Sequence, residues 1–157
     1  MADNVYEQYL SSHPFFEGLD EGYIRILADV ASEKHFEPLD LIFRQDGPAD
    51  HFFVIMDGEA TIEIPSLYGP PIPIQNLSKG KVLGWSWLIP PYKWDFEARA
   101  DTKTTVLAID GKTLRTQCEQ DPKLGYELFK RFAVLMSERL HEARMQVMET
   151  CAPAEIV

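Results

Sequence analysis

The residues best suited to chemistry are concentrated in one stretch, Gly80-Lys-Val-Leu-Gly-Trp-Ser-Trp-Leu-Ile-Pro-Pro-Tyr-Lys-Trp-Asp-Phe-Glu-Ala-Arg-Ala. It holds all three tryptophans of the chain, Trp85, Trp87 and Trp94, together with Tyr92 and Phe96, and Gly84 and Pro90-Pro91 punctuate it with turns. Rings this dense either plug a core or line a pocket, and for any single tryptophan core filling is the default. Lined up as a pocket, Gly84, Trp85, Ser86, Trp87, Leu88, Trp94, Asp95, Phe96 and Arg99 offer stacking surface, a hydroxyl, backbone N–H groups and one charge of each sign.

Other chemistries lack their residues. His13, His35, His51 and His141 show neither H-x-H nor H-E-x-x-H spacing, so no metal site is expected, and no pattern marks His51, Met56 or Cys118 as a haem ligand. No G-x-S-x-G, P-loop or paired-carboxylate motif occurs, so no enzyme and no obligatory cofactor are expected. Cys118, in Leu114-Arg-Thr-Gln-Cys-Glu, has no basic cluster to activate it and reads as a packed thiol.

A chain of 157 residues suits one domain with a self-sufficient core, and a net charge of −10 opposes binding to nucleic acid or an anionic membrane. The two cysteines, Cys118 and Cys151, are far apart, the N-terminus shows no basic-then-apolar leader, and no apolar run approaches the roughly 20 residues of a membrane span. A cytoplasmic protein with free thiols is expected.

The elements that must position the aromatic stretch follow from periodicity. Val5–Leu10 reads as a short helix or arm, and Leu19–Ala31 as a helix with Asp20 as N-cap. From Lys34 to Ile109 the period shortens. Leu41-Ile-Phe, His51-Phe-Phe-Val-Ile-Met, Ala60-Thr-Ile-Glu-Ile, Pro71-Ile-Pro-Ile and Thr104-Thr-Val-Leu-Ala-Ile are strands separated by glycine turns, which predicts a β-roll over about 34–109. A short helix over Lys112–Gln120 and a long one from Pro122 to about Glu149 follow. The long helix carries an apolar stripe that outruns the roll, so a homodimer is expected along Phe132, Leu135, Met136, Leu140, Ala143 and Val147.

The order helix, glycine-punctuated β-roll, short helix, long helix resembles the cyclic nucleotide-binding domain of catabolite-activator (Crp/Fnr-like) regulators. Pro14-Phe-Phe-Glu-Gly-Leu, Phe43-Arg-Gln-Asp-Gly, Phe52-Phe-Val-Ile-Met-Asp-Gly-Glu-Ala and Gly80-Lys-Val-Leu-Gly carry the likeness over nearly all of the chain. It implies a mainly β double-stranded β-helix (jelly-roll-like) with flanking helices, and turn conformations at Gly47, Gly58, Gly80 and Gly84. In that family a Gly-Glu-x-Ala-Leu segment supplies a Glu to the ribose, and a following Arg-Ser/Thr-Ala supplies an Arg to the cyclic phosphate. Here the first segment reads Gly84-Trp-Ser-Trp-Leu, and Trp94-Asp95-Phe96 stand on the triplet, so both signature charges are replaced.

Weak or absent binding of cAMP and cGMP is therefore expected, because a bidentate guanidinium contact is among the strongest a phosphate receives. Arg99 and the N–H groups near Ser86 and Trp87 are a route to genuine nucleotide binding, although Arg99 is an odd number of residues from Trp94 and faces the other way on one strand. The family's transcription factors continue into a helix-turn-helix, absent from this sequence, so direct DNA binding is not expected. Two functions stand open: a stand-alone sensory module that binds a small effector and signals through its long helix to a protein partner, or a structural or adaptor dimer with a plugged pocket. An open cavity beside Trp85 and Trp94 favours the first; rings packed solid there favour the second.

Overall fold

The computed structural model describes residues 4–151; Met1–Asp3, the tail from Ala152 and the Cys151 thiol lie outside the described residues. Helix α1 (Val5–Ser12) is capped by Asn4, which accepts the Tyr6 N–H and donates to Ala28 O of α2 (Glu21–Asp29), fastening the two helices together. Asp20 caps α2 by accepting the Gly22 N–H at 2.8 Å, as its sequence position predicts.

Eight strands follow: β1 (Ala31–Phe36), β2 (Leu41–Phe43), β3 (His51–Asp57), β4 (Glu59–Ile64), β5 (Ile72–Ser78), β6 (Val82–Leu83), β7 (Glu97–Ala100) and β8 (Thr104–Asp110). They form two antiparallel four-stranded sheets, in the orders β1-β8-β3-β6 and β2-β7-β4-β5. The roll is thus a mainly β fold with flanking helices, as expected. It begins earlier than the alternation implies: Ala31, read as the end of a helix, opens β1, an edge strand paired to β8 alone whose side chains are mostly exposed. Residue Gly84 takes φ +94, and Gly58 and Gly80 are also left-handed, whereas at the Arg44–Gly47 turn Asp46 takes the positive φ instead of Gly47.

Asp110 caps α3 (Gly111–Gln120), and the Asp121 carboxylate then accepts from the first N–H groups of α4 (Pro122–Cys151). At 30 residues α4 runs about 45 Å. One of its faces, Leu124, Leu128, Phe132, Leu135 and Arg139, closes the core; Glu142 still bonds Gln75 of β5, and the side chains from Arg144 to Glu149 are exposed. Phe132 packs edge-on against Phe15, Phe52 and Trp87, and Arg131 ties α4 to the N-terminal turn by donating to Phe15 O and Glu17 O. Among the described residues, no helix is long and apolar enough to cross a membrane.

Phe132 and Leu135, expected at a dimer seam, are therefore consumed inside the protomer: they lie on the face that the roll covers. Beside it runs an outer stripe, Tyr126, Phe129, Ala133, Met136, Leu140, Ala143 and Val147, spaced alternately three and four residues apart, of which Met136 and Ala143 are half-buried and the others exposed. Leu140 is 65 % exposed, and Tyr126 and Val147 nearly as much.

Candidate functional site

The aromatic stretch divides between core and cavity. A single 3-10 turn, Ser86–Leu88, swings Trp87 inward, where it is fully buried and stacks on Phe52 with ring centroids 5.2 Å apart. Gly111 makes room for that ring, since a Cβ there would lie 2.8 Å from it. Arg115 of α3 fixes the turn from outside: its guanidinium donates to Trp87 O at 2.7 Å and to Ala49 O, and lies over the Tyr92 ring at 4.0 Å. Leu88 is core as well. Trp87 and Leu88, grouped with the pocket from sequence, are thus part of the packing that holds it, because the short turn leaves Trp85 and Ser86 on the cavity side and carries the next two side chains into the core.

On the other side a cavity of about 180 Å³ remains. Gly84, Trp85, Ser86, Trp94, Asp95 and Phe96 line it together with Phe43, Ile62 and Ile74 of the second sheet, and Met136, Arg139, Leu140 and Ala143 of α4 close it. Trp94 is only 5 % exposed and stacks on Phe43, centroids 3.9 Å apart and planes within 14°. Its far edge rests on Gly84, where a Cβ would come within 2.5 Å of the indole, so the glycine is required both for its backbone and for this contact. Trp85 is half-buried and lines the cavity. Asp95, also lining the cavity, is exposed to water.

Arg99 does not join this group. It lies on the opposite face of β7, where its guanidinium meets Glu63 and Glu97 at 3.3 Å each and donates to Leu39 O at 2.8 Å. Burial, with the neighbouring Glu97 hydrogen bond, raises the Glu63 pKa above the carboxylate norm despite Arg99. A guanidinium shared by two carboxylates and a carbonyl, and not among the residues that line the cavity, is not a phosphate ligand there; Trp94 precedes β7, and the bend at Asp95 and Phe96 lies between the two.

Sequence reasoning missed Arg139. It is 7 % exposed, and one of its terminal nitrogens donates to Val82 O, the outer carbonyl of edge strand β6, at 2.5 Å. No carboxylate pairs with it among the described residues; Glu142 and Glu138 act on it only from a distance, and burial lowers its pKa from the ordinary guanidinium value. The signal was present: 128, 132, 135 and 139 continue the core spacing of α4. Cys118 behaves as its neighbours predict, its thiol pushed up to about 11 by burial and then by Asp121 and Glu119.

The fold has relatives. Residues 33–121 match the family model of the cyclic nucleotide-binding domain. The chain belongs to that family. It superposes on a putative cyclic nucleotide-binding protein of Geobacter metallireducens with a TM-score of 0.78 and 27% identity, covering 90% of this chain and 100% of the other. The sensor domain of the transcriptional regulator DNR from Pseudomonas aeruginosa shares the fold at TM-score 0.70 and 19% identity, over 88% of this chain and 93% of that one. A stretch of 59 residues, 38% of this chain, is 36% identical to the cGMP-dependent protein kinase isozyme 2 of Drosophila melanogaster, of which it spans only 6%.

Proposed function

We propose that this domain is a regulatory sensor whose cavity takes an effector smaller than a cyclic nucleotide. The retained but reduced cavity beside Trp85 and Trp94 carries this reading. At about 180 Å³ it falls below the roughly 300–1,000 Å³ of ordinary small-molecule sites, and the two positions that resemble the ribose and phosphate contacts hold indoles. A strand cation that would offset a cyclic phosphate is missing there, and Arg99 is engaged elsewhere. The relative described as a sensor domain supports a sensory role for the fold. Calorimetric titration with cAMP and cGMP tests the reading: affinity in the micromolar range or tighter for either would overturn it. A thermal-shift screen of small metabolites supplies the positive side, since a ligand of the native state raises its apparent stability.

The output is a second copy of this chain. The outer stripe on α4 keeps the alternating three-and-four spacing of a two-helix seam over about three heptads, and Met136, Leu140 and Ala143 belong both to it and to the cavity wall. One observation favours the adaptor reading instead: Trp87 and the Trp94–Phe43 stack fill much of the space between the sheets. That reading gains if no small molecule changes the melting temperature or the tryptophan emission while the dimer persists.

A further inference from the structure

Arg139 is the least explained charge in the molecule. Taking a guanidinium out of water is costly unless its N–H groups are met, and buried arginines are ordinarily met by carboxylates. Here one N–H group is met by Val82 O. The residue lines both the cavity beside Trp94 and an open groove of about 800 Å³ along α4, and its guanidinium makes no second hydrogen bond or ion pair among the described residues. The negative groups nearby do not neutralise it at contact distance. Glu142 is bonded to the Gln75 amide at the cavity mouth, Glu138 lies on the groove side, and Asp95 is in water where its repulsion is screened.

Apart from Gln75, Ser86 and Asp95, the rest of the cavity lining is apolar and aromatic. Its volume compares with the roughly 150 Å³ void that accepts a benzene ring, which leaves room for one ring and a short arm. We propose that the effector is a small carboxylate with an aromatic or branched apolar body, its acid group held by Arg139 from the helix and its body stacked against Trp85 and Trp94. The inference rests on the sensory reading and adds to it the charge and size of the ligand. A planar guanidinium with weak hydration suits a carboxylate in a bidentate pair, and the contact gains strength because Arg139 is largely buried. Placing the cation on α4 also makes the anion bind the helix directly, where in the resembled family the strand Arg would have held it.

The test uses benzoate, phenylacetate and 3-phenylpropionate, each against its neutral amide, titrated into the full chain with tryptophan emission and calorimetry as readouts. At least one acid is expected to bind, with its amide more than about tenfold weaker, as loss of a charged hydrogen-bonded pair implies. In Arg139→Gln the difference between acid and amide should close, and Arg139→Lys, which keeps the charge without the fork, should restore part of it. Equal binding of acid and amide by the wild type would overturn the anion anchor and leave the sensor intact. A gap that persists in folded Arg139→Gln would also overturn it, by placing the acid elsewhere. Absence of binding by every acid and amide at millimolar concentration would defeat both. Should Arg139→Gln fail to fold, the wild-type comparison of acid with amide decides alone.

Discussion

Trp87 offers a quantitative test of how the aromatic stretch is divided. Its ring is fully buried between Phe52, Phe132 and Gly111, and its Nε1 is a buried donor without a hydrogen-bond partner. Trp87→Ala empties a large volume and should cost roughly 3–5 kcal/mol, a large part of the roughly 5–15 kcal/mol that holds such a domain together. At about 2–4 °C per kcal/mol for a chain of this size, melting should fall by roughly 6–20 °C. Trp87→Phe keeps the stack on Phe52 and the edge contact with Phe132, leaving a smaller void that costs on the order of 1–2 kcal/mol. It also removes the orphan N–H, whose unmet burial costs about 1–3 kcal/mol. The two effects oppose, so Trp87→Phe should fall between about 1 kcal/mol less stable and about 2 kcal/mol more stable than wild type. Arg115 grips the backbone carbonyl of residue 87, so that anchor survives both changes. Urea unfolding followed by circular dichroism measures the difference. Should Trp87→Phe prove as damaging as Trp87→Ala, the indole N–H is satisfied after all and Trp87 does more than fill space.

Gly84→Ala sets a Cβ within 2.5 Å of the Trp94 ring at φ +94, so a loss of roughly 2 kcal/mol or more and a shifted Trp94 emission are expected, read by the same unfolding and by fluorescence. Leu140→Glu should give folded monomers in sedimentation with little change in protomer stability, because Leu140 is exposed in the protomer; wild-type monomers at high concentration would contradict the seam. His13 accepts the Phe15 N–H through Nδ1 and donates from Nε2 to Gly80 O at 2.7 Å, and burial lowers its pKa. Its folded value lies below its unfolded one, so its contribution is whole above about pH 6.5 and is lost as pH falls through the folded value. His13→Gln should therefore flatten the stability profile as pH falls below neutrality, where half-buried His51, whose pKa is lowered by burial and by Lys34, accounts for part of the remaining slope.

The strands that could be read were those with β-branched or aromatic runs, and β3 and β8 stand almost where their sequences place them. Those that escaped carry little such signal. β7 is Glu-Ala-Arg-Ala, residues of poor strand propensity held in place by β2 and β4 on either side, and β6 is two residues long. The cassette was legible as a cluster but not in its facing, because Trp85 and Trp87 are parted by one residue of a 3-10 turn whose direction only tertiary packing decides. On α4 two apolar stripes run side by side, and sequence periodicity merges them: Phe132 and Leu135 belong to the core, while Tyr126, Phe129 and Ala133 belong to the outer stripe. Arg139 was hidden for the opposite reason, a charge in a helix being read as solvated even where the core spacing claims it.

The placement of these stripes bears on how such a domain would signal. A ligand shifts an equilibrium only by the difference in its free energy of interaction with the two states. A ligand confined between the sheets would touch parts that the packed core holds in one arrangement. One that reaches Arg139, Met136 and Leu140 touches the portion of α4 where burial by the roll ends, and therefore the portion freest to change its partner. Because Met136, Leu140 and Ala143 serve the cavity and the outer stripe together, whatever factor effector binding applies to helix pairing, helix pairing must apply to effector affinity. An occupant that filled the cavity without contact to α4 would lack that coupling, however tightly it bound.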